Sequence, residues 1–171
     1  MRPTLRTARL TLRPVRDDDL AALVAMNADP EVMAYLGPTQ TAEEVAAELP
    51  GWVAGEGDFG LWAGDAADGF AGIWFLSADP EDPDAGETGW RLPRAAWGHG
   101  YAVEGARALV EHAFTTLGLH RVWAETMAVN TRSRRVMERL GMSYVRTYVD
   151  QWDEPIPGWE QGEVVHELRR E

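Results

Sequence analysis

Between Thr88 and Leu117 the hydrophobic period changes in mid-course, from a strand-like run over Thr88–Leu92 to a helical stripe beginning near Gly100. Val103, Ala106, Leu109, Val110, Ala113, Phe114 and Leu117 form that stripe, and Gly118 stops it. The junction reads Trp97-Gly98-His99-Gly100-Tyr101-Ala102. A strand that feeds a long amphipathic helix through so short a loop points to an α/β domain, with the helix packed back on a sheet. Glycines at a helix entrance permit close backbone approach, and the helix N-terminus presents N–H groups without intrahelical partners. That arrangement suits an anion, often a phosphate. An ordinary turn would use the same residues. The usual nucleotide loops do not fit, because the chain has no lysine and lacks the third glycine of a dinucleotide fingerprint.

The remaining segments supply the sheet and its other layer. Thr4 to Val15 reads as one strand, with Leu10, Leu12 and Pro14 alternating against Arg9, Thr11 and Arg13. Asp17-Asp18-Asp19 gives an N-cap and an acidic first turn to a helix through about Asn27. Asp29-Pro30 breaks it, and Glu31–Leu36 reads as a second short helix. Thr41 with Glu44 has capping-box form and opens a helix to about Leu49, ended by Pro50-Gly51. Phe59–Ala63 and Phe70–Ser77 flank a hairpin turn from Gly64 to Gly69. Arg121–Val129, Met142–Val149 and Val164–Leu168 are further strands, and Thr131–Leu140 is a helix stopped by Gly141. The order β-α-α-β-β-β-α-β-α-β-β predicts one mixed α/β domain over residues 1–171, with about seven strands and about four helices.

Composition narrows the classes. A 171-residue chain that is 45% hydrophobic suits one well-cored globular domain. The absence of cysteine excludes disulfides, cysteine nucleophiles and thiolate metal sites. No apolar run approaches the roughly 20 residues of a membrane span. Met1-Arg2-Pro3-Thr4-Leu5 lacks the apolar core of a signal peptide, so a cytoplasmic location is expected. A net charge of −12 argues against a nucleic-acid partner. The charge is also segregated: residues 17–90 hold 17 Asp and Glu and no basic residue, whereas residues 91–146 hold nine Arg against four Glu. One half suits a cation and the other a polyanion, although acidic surface serving solubility accounts equally well for many single acids.

A second element, "NTRSRRVMERLGM" from Asn130 to Met142, starts at a strand end roughly 30 residues after the glycine loop. Alone it reads as a capped helix with a glycine after it. Together, and in this order, the two elements resemble the GNAT superfamily of N-acetyltransferases. With "ARLTLRPVRDDDLAAL" and "GWRLPRAAWGHGYAVEGARAL" the likeness spans Arg9 to Val149 and is closest to the RimJ/RimL-type branch. Members of that branch acetylate ribosomal-protein N-termini, other amines or antibiotics. The resemblance implies the single-domain GNAT fold, acetyl-CoA as donor without a metal, and a small-molecule or peptide amine as acceptor. It involves neither nucleic acid nor membrane, and a homodimer is compatible with it.

Residue by residue, the resemblance implies that Gly98, His99, Gly100, Tyr101 and Ala102 hold the coenzyme pyrophosphate through main-chain N–H groups. Trp97 precedes them where the general pattern has Gln or Arg. The resemblance also implies that Leu92 offers its main chain to the pantetheine arm, like an added strand, and that Asn130 hydrogen-bonds the same arm. Arg94, Arg132 and Arg135 are candidates for phosphate contact, with unpartnered surface arginine as the even alternative. The family's tyrosine acid, four residues after a small residue, is replaced by Met137 following Ser133, and a thioether donates no proton. Ser133 then becomes the candidate to hydrogen-bond or protonate the coenzyme sulfur, its other role being to steady the helix entrance.

The acceptor amine must lose a proton, which calls for a carboxylate of raised pKa beside an apolar cleft. Glu87 and Glu125 are best placed, with Glu125 first because it follows the apolar run Val122-Trp123-Ala124 in its strand and would be partly buried. An ion pair to Arg explains Glu125 equally well. Trp52, Trp62, Trp74 and Trp90 are either acceptor-pocket walls or core, with core favoured for most. Tyr148 to Gly162, with Trp152 and Trp159, is a candidate flap. A catalytically silent acyl-CoA-binding module is the rival reading.

Overall fold

The computed structural model describes residues 2–151 and 153–170. In chain order the elements are β1 (Leu5–Arg6), β2 (Thr11–Pro14), α1 (Leu20–Asn27), α2 (Pro30–Met33), α3 (Ala42–Ala54), β3 (Gly60–Ala66), β4 (Gly69–Ala78), β5 (Ala85–Arg91), α4 (Tyr101–Thr115), β6 (Arg121–Met127), α5 (Thr131–Leu140), β7 (Ser143–Tyr148) and β8 (Glu163–Arg169). The strands form one sheet in the order β1-β2-β3-β4-β5-β6-β8-β7. The expected mixed α/β architecture is present, with one strand more than anticipated and all five helical segments in place, where the element order had counted about four.

The extra strand arises where Thr4–Val15 folds back on itself. The Thr7 hydroxyl accepts the Leu10 N–H at 2.9 Å, the Thr7 N–H donates to the Leu10 carbonyl at 2.9 Å, and β1 then pairs antiparallel with β2. The hydroxyl in turn donates to Glu104 of α4 at 2.6 Å. A threonine side chain that mimics a turn beats the strand alternation around it.

Helix α3 differs as well, because it runs through Pro50-Gly51 to Ala54. A proline inside a helix removes one hydrogen bond and normally stops the turn. Here the end of α3 is held from outside. The buried Arg2 guanidinium donates to the carbonyls of Trp52 at 3.2 Å, Val53 at 2.5 Å and, on β3, Leu61 at 2.7 Å. The β3–β4 hairpin turns later than expected, after Ala66, with a bulge at Gly64/Asp65. Strand β3 needs glycine at Gly64, because a Cβ there would stand 2.3 Å from the Trp74 ring.

Two cores sandwich the sheet. Under α4 and α5 lie Leu12, Trp62, Trp74, Leu76, Leu109, Val122 and Met137. Under α1 and α3 lie Val15, Leu23, Met26, Val45, Leu49 and Ile73. Trp62 and Trp74 are therefore core rather than pocket wall.

One seam positions everything that follows. Strands β5 and β6 are parallel neighbours only from Ala85/Arg121 to Glu87/Trp123. Both strands run on, to Arg91 and Met127, without pairing. The sheet is thus parted in its middle.

Candidate active site

The parted strands open a cleft of about 630 Å³, walled by residues 88–92 of the β5 edge, residues 124–127 of β6, the glycine loop and the first turns of α4 and α5. Among the predicted residues, Glu87, Leu92, Trp97, Gly98, Gly100, Tyr101, Ala102, Glu125, Asn130, Arg132, Ser133 and Arg135 line it. His99 and Arg94 do not.

Conformation explains the glycine pair. Gly98 has φ +79° and Gly100 has φ +81°, the left-handed region. A Cβ at Gly98 would meet nothing within 4 Å, so backbone geometry and not crowding selects glycine there. Gly100 is the N-cap of α4 and makes no side-chain cap, which leaves the N–H groups of Tyr101, Ala102 and Val103 without a helix partner at the cleft wall. Arg9 pins the loop from below. Its guanidinium donates to the His99 carbonyl at 2.8 Å, pairs with Glu104 at 2.6 Å and lies over the Tyr101 ring at 4.9 Å. The His99 ring stacks on Tyr101.

Trp97 closes the turn behind the loop, its Nε1 donating to the Leu92 carbonyl at 2.8 Å. Its indole face carries the Arg132 guanidinium at 4.1 Å, which aims a cation along the loop. Arg94 does other work: it pairs with Asp29 at 2.6 Å and Glu31 at 2.7 Å, anchoring the start of α2. Most of the remaining arginines after residue 90 are likewise engaged structurally. Arg91 donates to the buried Asn27 at 2.9 Å, Arg121 pairs with Asp79 at 2.7 Å, and Arg107 and Arg134 donate to main-chain carbonyls. The charge segregation therefore delivers a focused set of cations to the cleft, with Arg132 and Arg135 at α5.

Asn130 caps α5, accepting the Ser133 N–H at 3.2 Å and donating to Thr126 at 3.0 Å. One amide hydrogen remains for a ligand. The Ser133 hydroxyl has no partner among the described residues and lines the cleft. Met137, at the position of the family's tyrosine, is fully buried in the core.

The face of the sheet away from α4 and α5 is acidic. Glu87 pairs in register with Trp123, which places it on the same face as Glu125 two residues on. Glu163 lies opposite both Met127 and Tyr148, on that face too. The Tyr148 hydroxyl donates to Glu125 at 2.8 Å. Burial pushes the Tyr148 phenol up, and its bond to the Glu125 carboxylate adds to the effect. Burial, helped by the charges of Glu125 and Asp79, pushes Glu87 up to about 7. Burial also raises Glu163, with Glu125 and Asp150 contributing. Sequence reasoning missed Glu163 because its placement depends on β8 inserting between β6 and β7, a register that no local signal carries. Of the expected flap, Tyr148 and Asp150 line the cleft, Gly158 packs against Val129, and Trp152 lies outside the described residues.

The cleft residues fit coenzyme A: left-handed glycines, free helix N–H groups, two arginines and an unpaired strand edge. Fold and site define an acyl-coenzyme A transferase with acidic groups gathered on the sheet face away from α4 and α5. Residues 9–143 match the acetyltransferase (GNAT) domain, and the chain belongs to that family. It is accordingly an N-acetyltransferase that uses acetyl-CoA. FsC-acetyl coenzyme A-N(2)-transacetylase of Aspergillus fumigatus is 39% identical over 181 aligned residues, covering 99% of this chain and 77% of its own. Two solved structures share the fold. Spermidine N-acetyltransferase from Vibrio cholerae, in complex with CoA and spermine, has a TM-score of 0.81 at 19% identity, over 95% of this chain and 96% of that one. RimL, a ribosomal L7/L12 alpha-N-protein acetyltransferase in complex with coenzyme A, has a TM-score of 0.81 at 16% identity, over 98% of each chain. No described helix is long and apolar enough to cross a membrane.

Proposed function

We propose that the chain acetylates a primary amine by direct attack on the thioester of acetyl-CoA, with Glu87 as general base. The observation that carries this reading is a half-buried carboxyl, raised to about 7, beside the unpaired β5 edge. A base poised near neutrality takes a proton from an incoming ammonium most effectively. The amine nitrogen then bonds to the carbonyl carbon as the carbon–sulfur bond breaks. Of the two protons the ammonium gives up, one leaves through Glu87 to water and the other ends on the coenzyme thiol. The free Ser133 hydroxyl is the group that hydrogen-bonds the departing sulfur, and Gly98, Gly100, Arg132 and Arg135 hold the phosphates. Glu125 orients Tyr148 and holds Glu87 at its raised pKa, which moves the base one strand away from the first expectation.

A small diamine, a protein N-terminus as in the RimJ/RimL branch, or an N(2)-type amine is the acceptor class, in the cytoplasm. Assembly as a homodimer belongs to the same reading and is tested by light scattering. The deciding experiment follows thiol release with acetyl-CoA and a panel of amines across pH. We expect kcat/KM to rise with pH through about 7. Glu87→Gln should remove that limb and lower kcat about a hundredfold or more, with coenzyme binding intact by calorimetry. An unchanged profile in Glu87→Gln eliminates Glu87 as the base. Coenzyme binding without thiol release from any amine would favour the silent module.

A further inference from the structure

Five acidic groups line one cleft, Glu31, Glu87, Glu125, Asp150 and Glu163, and Glu31 is paired with Arg94. One of them stands out. Glu163 retains 9% of its accessible surface, lines the cleft, and has neither an ion pair nor a hydrogen-bond donor among the described residues. Its register neighbours, Met127 and Tyr148, offer it no cation. Among the described residues four arginines line the cleft, and none of them pairs with Glu163: Arg91 donates to Asn27, Arg132 lies over Trp97, and Arg135 and Arg139 stand on α5. A buried carboxylate without a cation is costly, and the cost is relieved by taking up a proton or by gaining a cationic partner. Glu125 does not need one, because Tyr148 already donates to it.

We propose, on the footing of the acetyltransferase reading above, that the acceptor carries a second positive charge: an ammonium held by Glu163, with Asp150 at its rim, while the reacting nitrogen faces Glu87. Phe75 also lines this cleft, on the face that carries Glu87, and gives the methylenes between the two nitrogens an apolar wall. Glu87 must be charged to accept a proton, whereas Glu163 takes its charge opposite the ammonium it holds, a partner that is never consumed. The two carboxylates therefore divide the labour along the length of one dicationic alkylamine. A peptide N-terminus brings only one such charge, followed by neutral amides that would leave Glu163 unpaired.

The test compares kcat/KM for 1,5-diaminopentane, 1-aminopentane and the peptide Ser-Ala-Ala, with thiol release as readout. The diamine should exceed 1-aminopentane about tenfold or more. Glu163→Gln should bring that ratio close to one, chiefly by raising KM for the diamine. Coenzyme binding by calorimetry checks that the variant is folded. If Glu163→Gln does not fold, Asp150→Asn together with the ratio in the unmodified protein decides instead. A ratio near one in the unmodified protein, a ratio unmoved by the substitution, or a preference for the peptide overturns the inference and leaves the transferase reading standing. Absence of thiol release with all three amines overturns both.

Discussion

At the scale of single residues, the signals that could be read were the local ones. Gly98 and Gly100 announce themselves because a left-handed turn at a helix entrance needs no distant information. Gly105 does the opposite. Within α4 it reads as a weakness, since alanine is favoured in a helix by about 1 kcal/mol. In the fold its missing Cβ makes room for Trp74, whose ring would lie 2.4 Å away. Trp74 cannot yield, being fully buried with its Nε1 bonded to the Ala102 carbonyl at 3.1 Å. Overpacking of this kind costs about 1–3 kcal/mol, enough to outweigh the helix preference. Gly105→Ala should therefore lower the urea midpoint, and a raised midpoint would show that the ring can move. Sequence inspection could not have found this, because its cause lies on β4, on the far side of a chain reversal.

At the scale of elements, periodicity located most helices and strands, and errors gathered where a side chain from elsewhere replaced a backbone bond. The Thr7 turn split one expected strand into two. The expected end of α3 at Pro50 was wrong for a similar reason: punctuation by proline is a local rule, and Arg2 overrides it from β3's side of the molecule. A buried cation on main-chain carbonyls complements the negative end of a helix as well as its unpaired oxygens. Arg2→Ala should cost about 2–4 kcal/mol, since it leaves the Trp52 and Val53 carbonyls without their side-chain donor and Leu61 with only the Val15 N–H. Thermal melts would record the loss, and hydrogen exchange should place it in the last turn of α3. A change below about 0.5 kcal/mol, typical of a surface site, would refute the capping role.

At the scale of the whole molecule, the order of elements foretold a mixed sheet but not its opening. Nothing in Ala85–Arg91 or Arg121–Met127 says that their pairing stops after three rungs. That is settled by tertiary packing, with α4 lying against both β5 and β6 and α5 against β6. Amides along the facing edges, over residues 88–91 and 124–127, should exchange quickly in the free protein wherever β4 or β8 does not hold them. Acetyl-CoA should slow them, and exchange measured with and without it tests this; equal rates would mean that the coenzyme arm does not lie along that edge.

The same seam has a mechanical meaning. Five strands on one side and three on the other share a weld of three rungs, bridged otherwise by helical packing. Such a joint is weakest along the open cleft. A ligand that ran main-chain-like along the open edges would complete the sheet, and the protein would then borrow its last structural member from its own substrate and give it back once per turnover.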